Sequence, residues 1–215
     1  MKVRPIRVWH TFILAFAIAS ASPASAHKPS FSNGQYGSPD RAYPVQNIDH
    51  SIVVYHEITC NDRQLWLRFN AAEPGKGLFV QLGVPKIDRL ERYRPTLAVV
   101  APGLPPPQGQ LPFAIPAGMG VEVLSAEMAR VFSEPFTGTD SWVVVERTLS
   151  LPSAGSGYVV AWDPEARPGK LWVAVGEKET FGLADLFRFV GWRASARDFH
   201  EVGGALAGGP AAPCN

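Results

Sequence analysis

The chain has 215 residues, 20 of them basic and 19 acidic, with 20 prolines, 20 glycines and two cysteines. A formal net charge of +1, with no basic cluster, takes away the electrostatic footing of nucleic-acid binding. So much proline and glycine argues against an architecture of long helices and for short strands joined by turns.

Residues 1–26 read as an export signal. Lys2, Arg4 and Arg7 precede an apolar run over 11–21, and Ala24-Ser25-Ala26 closes it with the small-residue pattern of a cleavage site. The run is shorter than the ~20 apolar residues of a membrane-spanning helix, and no later stretch approaches that length. Cleavage takes three of the 20 basic side chains and leaves 17 against 19 acidic ones. What remains suffices for one domain with a substantial core, soluble and either secreted or periplasmic, with no integral membrane segment.

Residues 27–46 are rich in Ser, Pro, Gly, Asn and Asp without apolar periodicity, which predicts an irregular arm. A single domain over 47–202 follows. Strands are expected over 51–59, 64–70, 78–82, 96–100, 120–125, 142–149, 158–162 and 171–175, each rich in β-branched or aromatic residues or alternating in polarity. The short connection at 73–77 predicts a hairpin between the second and third of these. The turn holding Asp163, Pro164, Pro168 and Gly169 predicts another between the last two, with a long loop. The proline-rich 102–116 segment reads as a stiff surface connection crossing a sheet edge. Ile87 and Leu90 support a helical turn or two near 86–93, ended by Pro95.

After Glu179 the period changes. Leu183, Leu186, Phe187 and Val190 fall at i, i+3, i+4 and i+7, so an amphipathic helix is expected over 182–193, with Thr180 as its cap. Together these elements make a mainly β protein: an antiparallel β-sandwich, jelly-roll-like, with one C-terminal amphipathic helix. A closed barrel is the alternative. Residues 203–215 read as a flexible tail, tethered if Cys214 pairs with Cys60, the natural partner in an oxidising compartment. A loop that long contributes roughly 4–5 kcal/mol in the chain-entropy treatment.

Candidate sites are few. Trp66 and Trp172 fall on the faces opposite their strands' aliphatic residues, and Arg68 stands beside Trp66. Outward indoles can stack on sugar rings, so the three are candidate ligand-binding residues for a carbohydrate or another cell-envelope component. The plain alternative is burial, one face under the other sheet and one under the helix or the proline segment.

A second possibility is a metal. Cleavage after Ala26 would make His27 the first residue, and a terminal amine with an imidazole chelates copper when a second histidine joins it. This resembles the N-terminal arrangement of histidine-brace copper proteins, such as lytic polysaccharide monooxygenases and periplasmic copper carriers. The resemblance covers that one residue and the compartment. It implies copper as an alternative cofactor, with His50, His56 or His200 as partner. His56 and Glu57, adjacent on a strand, point to opposite faces and do not share a site.

Catalysis has little support. Gly155-Ser156-Gly157 and Asp140-Ser141-Trp142 lack the nucleophile-elbow pattern and read as turns, and Glu177 with Glu179 reads as a solvated face rather than a glycosidase pair. No C-x-x-C, H-E-x-x-H, P-loop or dinucleotide fingerprint is present. The reading is therefore an exported, non-catalytic binding module without a cofactor, with a structural envelope domain or a copper protein as alternatives.

Overall fold

The computed structural model describes residues 27–204 and 212–214. The signal expected over 1–26, and residues 205–211 and 215 of the expected tail, lie outside the described residues. Six strands form one sheet, in the order β1 (Lys28–Phe31), β3 (Ile52–Ile58), β11 (Gly169–Val175), β5 (Gly77–Pro85), β9 (Thr139–Ser150) and β8 (Arg130–Glu134). Five form a second, in the order β2 (Tyr43–Pro44), β4 (Gln64–Ala71), β10 (Gly155–Trp162), β6 (Thr96–Ala101) and β7 (Gly120–Leu124). Val54, Leu82, Val145, Leu171 and Val173 of the first sheet and Leu65, Leu67, Val99 and Val159 of the second fill the space between them. The fold is the expected β-sandwich with helix at its C-terminal end.

Both predicted hairpins are absent. β4 and β5 lie in different sheets, as do β10 and β11. Each connection is a crossing from one layer to the other. The loop from β10 to β11 is held for that purpose by Asp163, whose carboxylate accepts the N–H groups of Glu165 (2.9 Å) and Arg167 (3.2 Å) and the Arg167 guanidinium (3.1 Å). Paired with neighbours on both sides, β10 and β11 are central strands of two sheets. Strand propensity alone cannot distinguish that from pairing with each other.

The arm is also more ordered than expected. β1 pairs with β3 and β2 with β4, both in parallel, so the arm laces the outer edges of both sheets. Phe31 stacks on Tyr55 at 4.9 Å, which anchors it. Its prolines suit edge strands, where a missing N–H leaves no ladder bond unmade. The β8–β9 hairpin, closed at Gly138 with φ +64°, was not foreseen either. Ser141 and Ser156, read as turns, lie within β9 and β10.

Cys60 and Cys214 form a disulfide with their Cα atoms 5.3 Å apart, and the Cys214 N–H donates to the Ala166 carbonyl at 2.8 Å. The chain's end is thus pinned beside the β10–β11 crossing.

The helical region splits into α1 (Leu183–Leu186) and α2 (Phe189–Phe199). Its start is set by Asp185, whose carboxylate accepts the Gly182 N–H at 3.0 Å, and not by Thr180. The predicted apolar stripe is not the packing face. Leu186, Phe187 and Val190 are 56, 90 and 81 % exposed. Ala196, fully buried, and Phe199 carry the contact with the sheet instead. These belong to a second apolar series, Phe189, Trp192, Ala196 and Phe199, in which small Ala196 lets the helix approach closely.

Candidate functional site

The outer face of the five-stranded sheet is closed. Trp66 (0 % exposed), Val160, Trp162 and Val100 lie under the loop between β6 and β7, which supplies Leu111, Phe113, Ile115 and Met119. Phe113 meets Trp66 and Trp162 edge-on at 5.1 and 5.3 Å. The Trp66 indole N–H donates to the Gln64 side-chain carbonyl (2.8 Å), and the Gln64 amide donates to the Pro112 carbonyl (2.8 Å). The proline-rich segment is therefore a lid.

On the outer face of the six-stranded sheet α2 covers less. Beside it lies a cavity of about 40 Å³, walled by Tyr55, Phe132, Phe136 and Trp172, with His27, Glu134, Ser141 and His200 among its lining residues. Sheet alternation puts Val53 and Tyr55 of β3 on this face, and β11 contributes Trp172. The indole fits because β5 has Gly83 beneath it: a Cβ there would collide with the ring. The Trp172 indole N–H donates to the Ser141 hydroxyl at 3.0 Å. The His200 Nδ1–H donates to the Ala196 carbonyl (2.8 Å), which leaves Nε2 as acceptor for the Ser141 O–H (3.0 Å). This chain of three bonds satisfies three buried polar groups and fixes the end of α2 over the sheet.

A serine hydroxyl on an imidazole is also the start of a nucleophile–base pair. Here the serine oxygen already accepts the indole N–H, and the pair closes a structural bridge. Burial lowers the pKa of His200, and of His27, and raises that of Glu134. The Glu134 carboxylate accepts the Phe136 N–H at 3.0 Å. The cavity thus has aromatic walls and a few polar groups, with His27 Nε2 buried and unpartnered.

The remaining sequence candidates disperse. Trp66 and Trp172 (5 % exposed) are buried on opposite outer faces of the sandwich, and exposed Arg68 lies on the Trp66 side, so the three do not share a surface. The alternative reading, burial under the helix and the proline segment, is the one the structure carries. His27 and His200 line one cavity, but both nitrogens of His200 are engaged. His56 points between the sheets, bonded to the Ser32 hydroxyl at 3.0 Å and 3.6 Å from Asp62, and burial lowers its pKa to about 4. His50 sits outside the strands, bridged to Lys178. Glu201, next to His200, is held by Arg89 in two 2.6 Å bonds and by Lys170 at 2.7 Å. Among the described residues no three His, Cys, Asp or Glu side chains form a metal-sized group, and no helix is long and apolar enough to cross a membrane.

Sequence reading missed the cavity and the exposed tip. The tip's signal was the doubled apolar series after Glu179, one more than a single packing face needs, whereas the cavity is lined from β1, β3, β5, β8, β9 and β11 and has no local signal.

No protein-family model matches the chain, and no curated protein does. Among solved structures, it is similar to PliG of Aeromonas hydrophila, a periplasmic inhibitor of g-type lysozyme. The match covers 70% of this chain and 98% of that one, at 16% identity and a TM-score of 0.35.

Proposed function

We infer that this is an exported, non-catalytic binding domain whose partner is a protein of the cell envelope. The partner covers the exposed tip of α1 and α2 and sets an apolar side chain into the cavity beside α2. The observation that carries this reading is the tip itself. Leu186, Phe187 and Val190 stand within five residues and largely in solvent, and clustered large apolar side chains on a soluble surface mark contact sites. The disulfide supports export, since such bonds persist in oxidising compartments.

Volume and charge narrow the occupant. About 40 Å³ admits a side-chain tip and excludes a sugar ring. The tip is bordered by exposed Arg188 and Arg193, for neither of which an ion pair is found among the described residues. A partner with an apolar anchor inside an acidic rim complements that surface, as interfaces with buried anchors and polar rims generally do.

The test is differential capture from an envelope extract by wild type, Phe187→Glu and Arg188→Glu/Arg193→Glu, followed by titration of the purified partner. The expectation is one protein retained by wild type, weakened about tenfold or more by either variant. Identical capture by all three chains would overturn the reading. So would self-association in sedimentation, or binding to anionic vesicles, if Phe187→Glu removed it. Export has its own readout: N-terminal sequencing of the mature protein, expected to begin at His27.

A further inference from the structure

At the other end of the β10–β11 crossing lies a second cavity, of about 150 Å³, whose lining includes Arg89, Arg92, Arg167, Lys170, Tyr93 and Glu57. The sequence scatters these residues over more than a hundred positions. The 3-10 turn Asp88–Leu90, the 163–168 crossing and the ends of β3 and β11 bring them together.

Three of the four cations are already fixed by acids set behind them. Glu201 holds Arg89 and Lys170, and Asp163 holds Arg167, which also reaches Glu165 at 3.3 Å. These acids place the cations without using all their donors. A guanidinium has five N–H groups and an ammonium three, and the bonds named take fewer. Arg92 is exposed and has no ion pair among the described residues. Glu57 is the one acid among the lining residues.

Tyr93 provides the second, independent sign. The residue is 4 % exposed and its hydroxyl is buried without any hydrogen-bond partner. Its ring lies against Gly169 and beneath the Arg167 guanidinium, 5.7 Å from the ring centre. A buried hydroxyl left unpaired weakens the fold. The hydroxyl is closed to solvent as the side chains stand, so an acceptor from solution reaches it only when the Arg167 guanidinium over the ring swings aside.

We propose that this cavity binds a phosphate or sulfate group, held by Arg92, Arg167, Arg89 and Lys170 and by a hydrogen bond donated from the Tyr93 hydroxyl. Fork-shaped guanidinium donors match the oxygens of such a group, and charge-assisted bonds are the strong ones. The group is either a free ion or the head of a larger envelope molecule.

The experiment is thermal unfolding and calorimetric titration of the disulfide-bonded chain in potassium phosphate, potassium sulfate, glycerol phosphate or potassium acetate, each against potassium chloride at equal ionic strength. Phosphate and sulfate are expected to raise Tm and acetate is not. A larger increment with glycerol phosphate assigns the site to a phosphoester head, and a smaller one to the free ion. Arg92→Gln should weaken phosphate about tenfold with Tm in chloride unchanged. Tyr93→Phe removes the orphan hydroxyl, so it should keep or raise Tm in chloride while losing about tenfold in phosphate affinity. Equal Tm in phosphate and chloride for wild type overturns the proposal. So does full retention of the phosphate increment by Tyr93→Phe and Arg92→Gln together, which marks a general salt effect.

Discussion

On the five-stranded sheet a proline-stiffened loop lays Phe113 edge-on between Trp66 and Trp162, whereas on the six-stranded sheet an eleven-residue helix leaves a cavity beside Trp172. Both faces bury an indole and give its N–H an acceptor, so the polar bookkeeping is alike. The difference is in what covers them. The loop is tied to the sheet at two points, through the Gln64 bond to Pro112 in its middle and the Val121 N–H to the Pro105 carbonyl near its start. The helix rests on Ala196 and Phe199, while Val190 within it and Leu186 and Phe187 before it stand largely in solvent. One face completes the core. The other leaves large apolar side chains in solvent.

That contrast is broken most severely by removing the indole of the closed face. Trp66→Ala is expected to cost about 3–5 kcal/mol, the range for deleting a large buried aromatic. Urea unfolding measures it, and limited proteolysis within 102–119 should accelerate in step. A loss near zero would mean that the loop rests on the sheet without sealing it.

Acid separates the faces next. His200 and His27 lie at the cavity, whereas the 102–119 loop contains no histidine. Burial lowers both pKa values, and that of His56 between the sheets falls from 6.5 to about 4. Below pH 6.5 the unfolded chain binds protons that the folded chain does not. Stability from these groups is therefore complete above about pH 6.5 and drains away as the pH falls through each folded pKa. For His56 alone the loss by pH 4 is about 3 kcal/mol. Asp62 beside it, raised by burial, acts in the opposite sense at the acid end of that range. Hydrogen exchange between pH 7 and pH 4.5 should show β11 and α2 losing protection before β6 and β7, and His200→Gln should narrow the gap. Protection lost first at β6 and β7 would reverse the assignment of the two faces.

A smaller effect is expected at the bridge. Ser141→Ala leaves the Trp172 N–H and His200 Nε2 without their partner, at about 1–3 kcal/mol. It should also ease protonation of His200, visible as a rise in its NMR titration midpoint. An unchanged midpoint would mean that burial alone sets it.

How much of this could be read from the sequence follows the same division. The closed face was nearly legible: strand alternation set Trp66 apart from Leu65 and Leu67, and a stiff segment with Phe113 was at hand to cover it. The partnering of strands was not, because β4 with β5 and β10 with β11 carry the same short-connection signal whether they pair or cross between layers. Nor was the orientation of the helix. Leu183, Leu186, Phe187 and Val190 satisfy helical spacing as well as Phe189, Trp192, Ala196 and Phe199, and periodicity cannot say which of two stripes faces the sheet. The cavity beside Tyr93 has no local pattern, since its cations come from two stretches far apart in the chain, 89–92 and 167–170.

The choice between those stripes is what the smallest effect decides. Phe187, at 90 % exposed, packs against little. Phe187→Ala should shift unfolding free energy by no more than about 0.5 kcal/mol, the usual scale for surface sites, while partner affinity falls by an order of magnitude or more. Phe199→Ala should do the reverse, costing about 1–3 kcal/mol in stability because half-buried Phe199 meets Tyr55 at 5.1 Å and packs on the sheet. If Phe187→Ala instead destabilised the chain as much as Phe199→Ala, the helix would be packed through its other stripe. The six-stranded face would then be as closed as its counterpart.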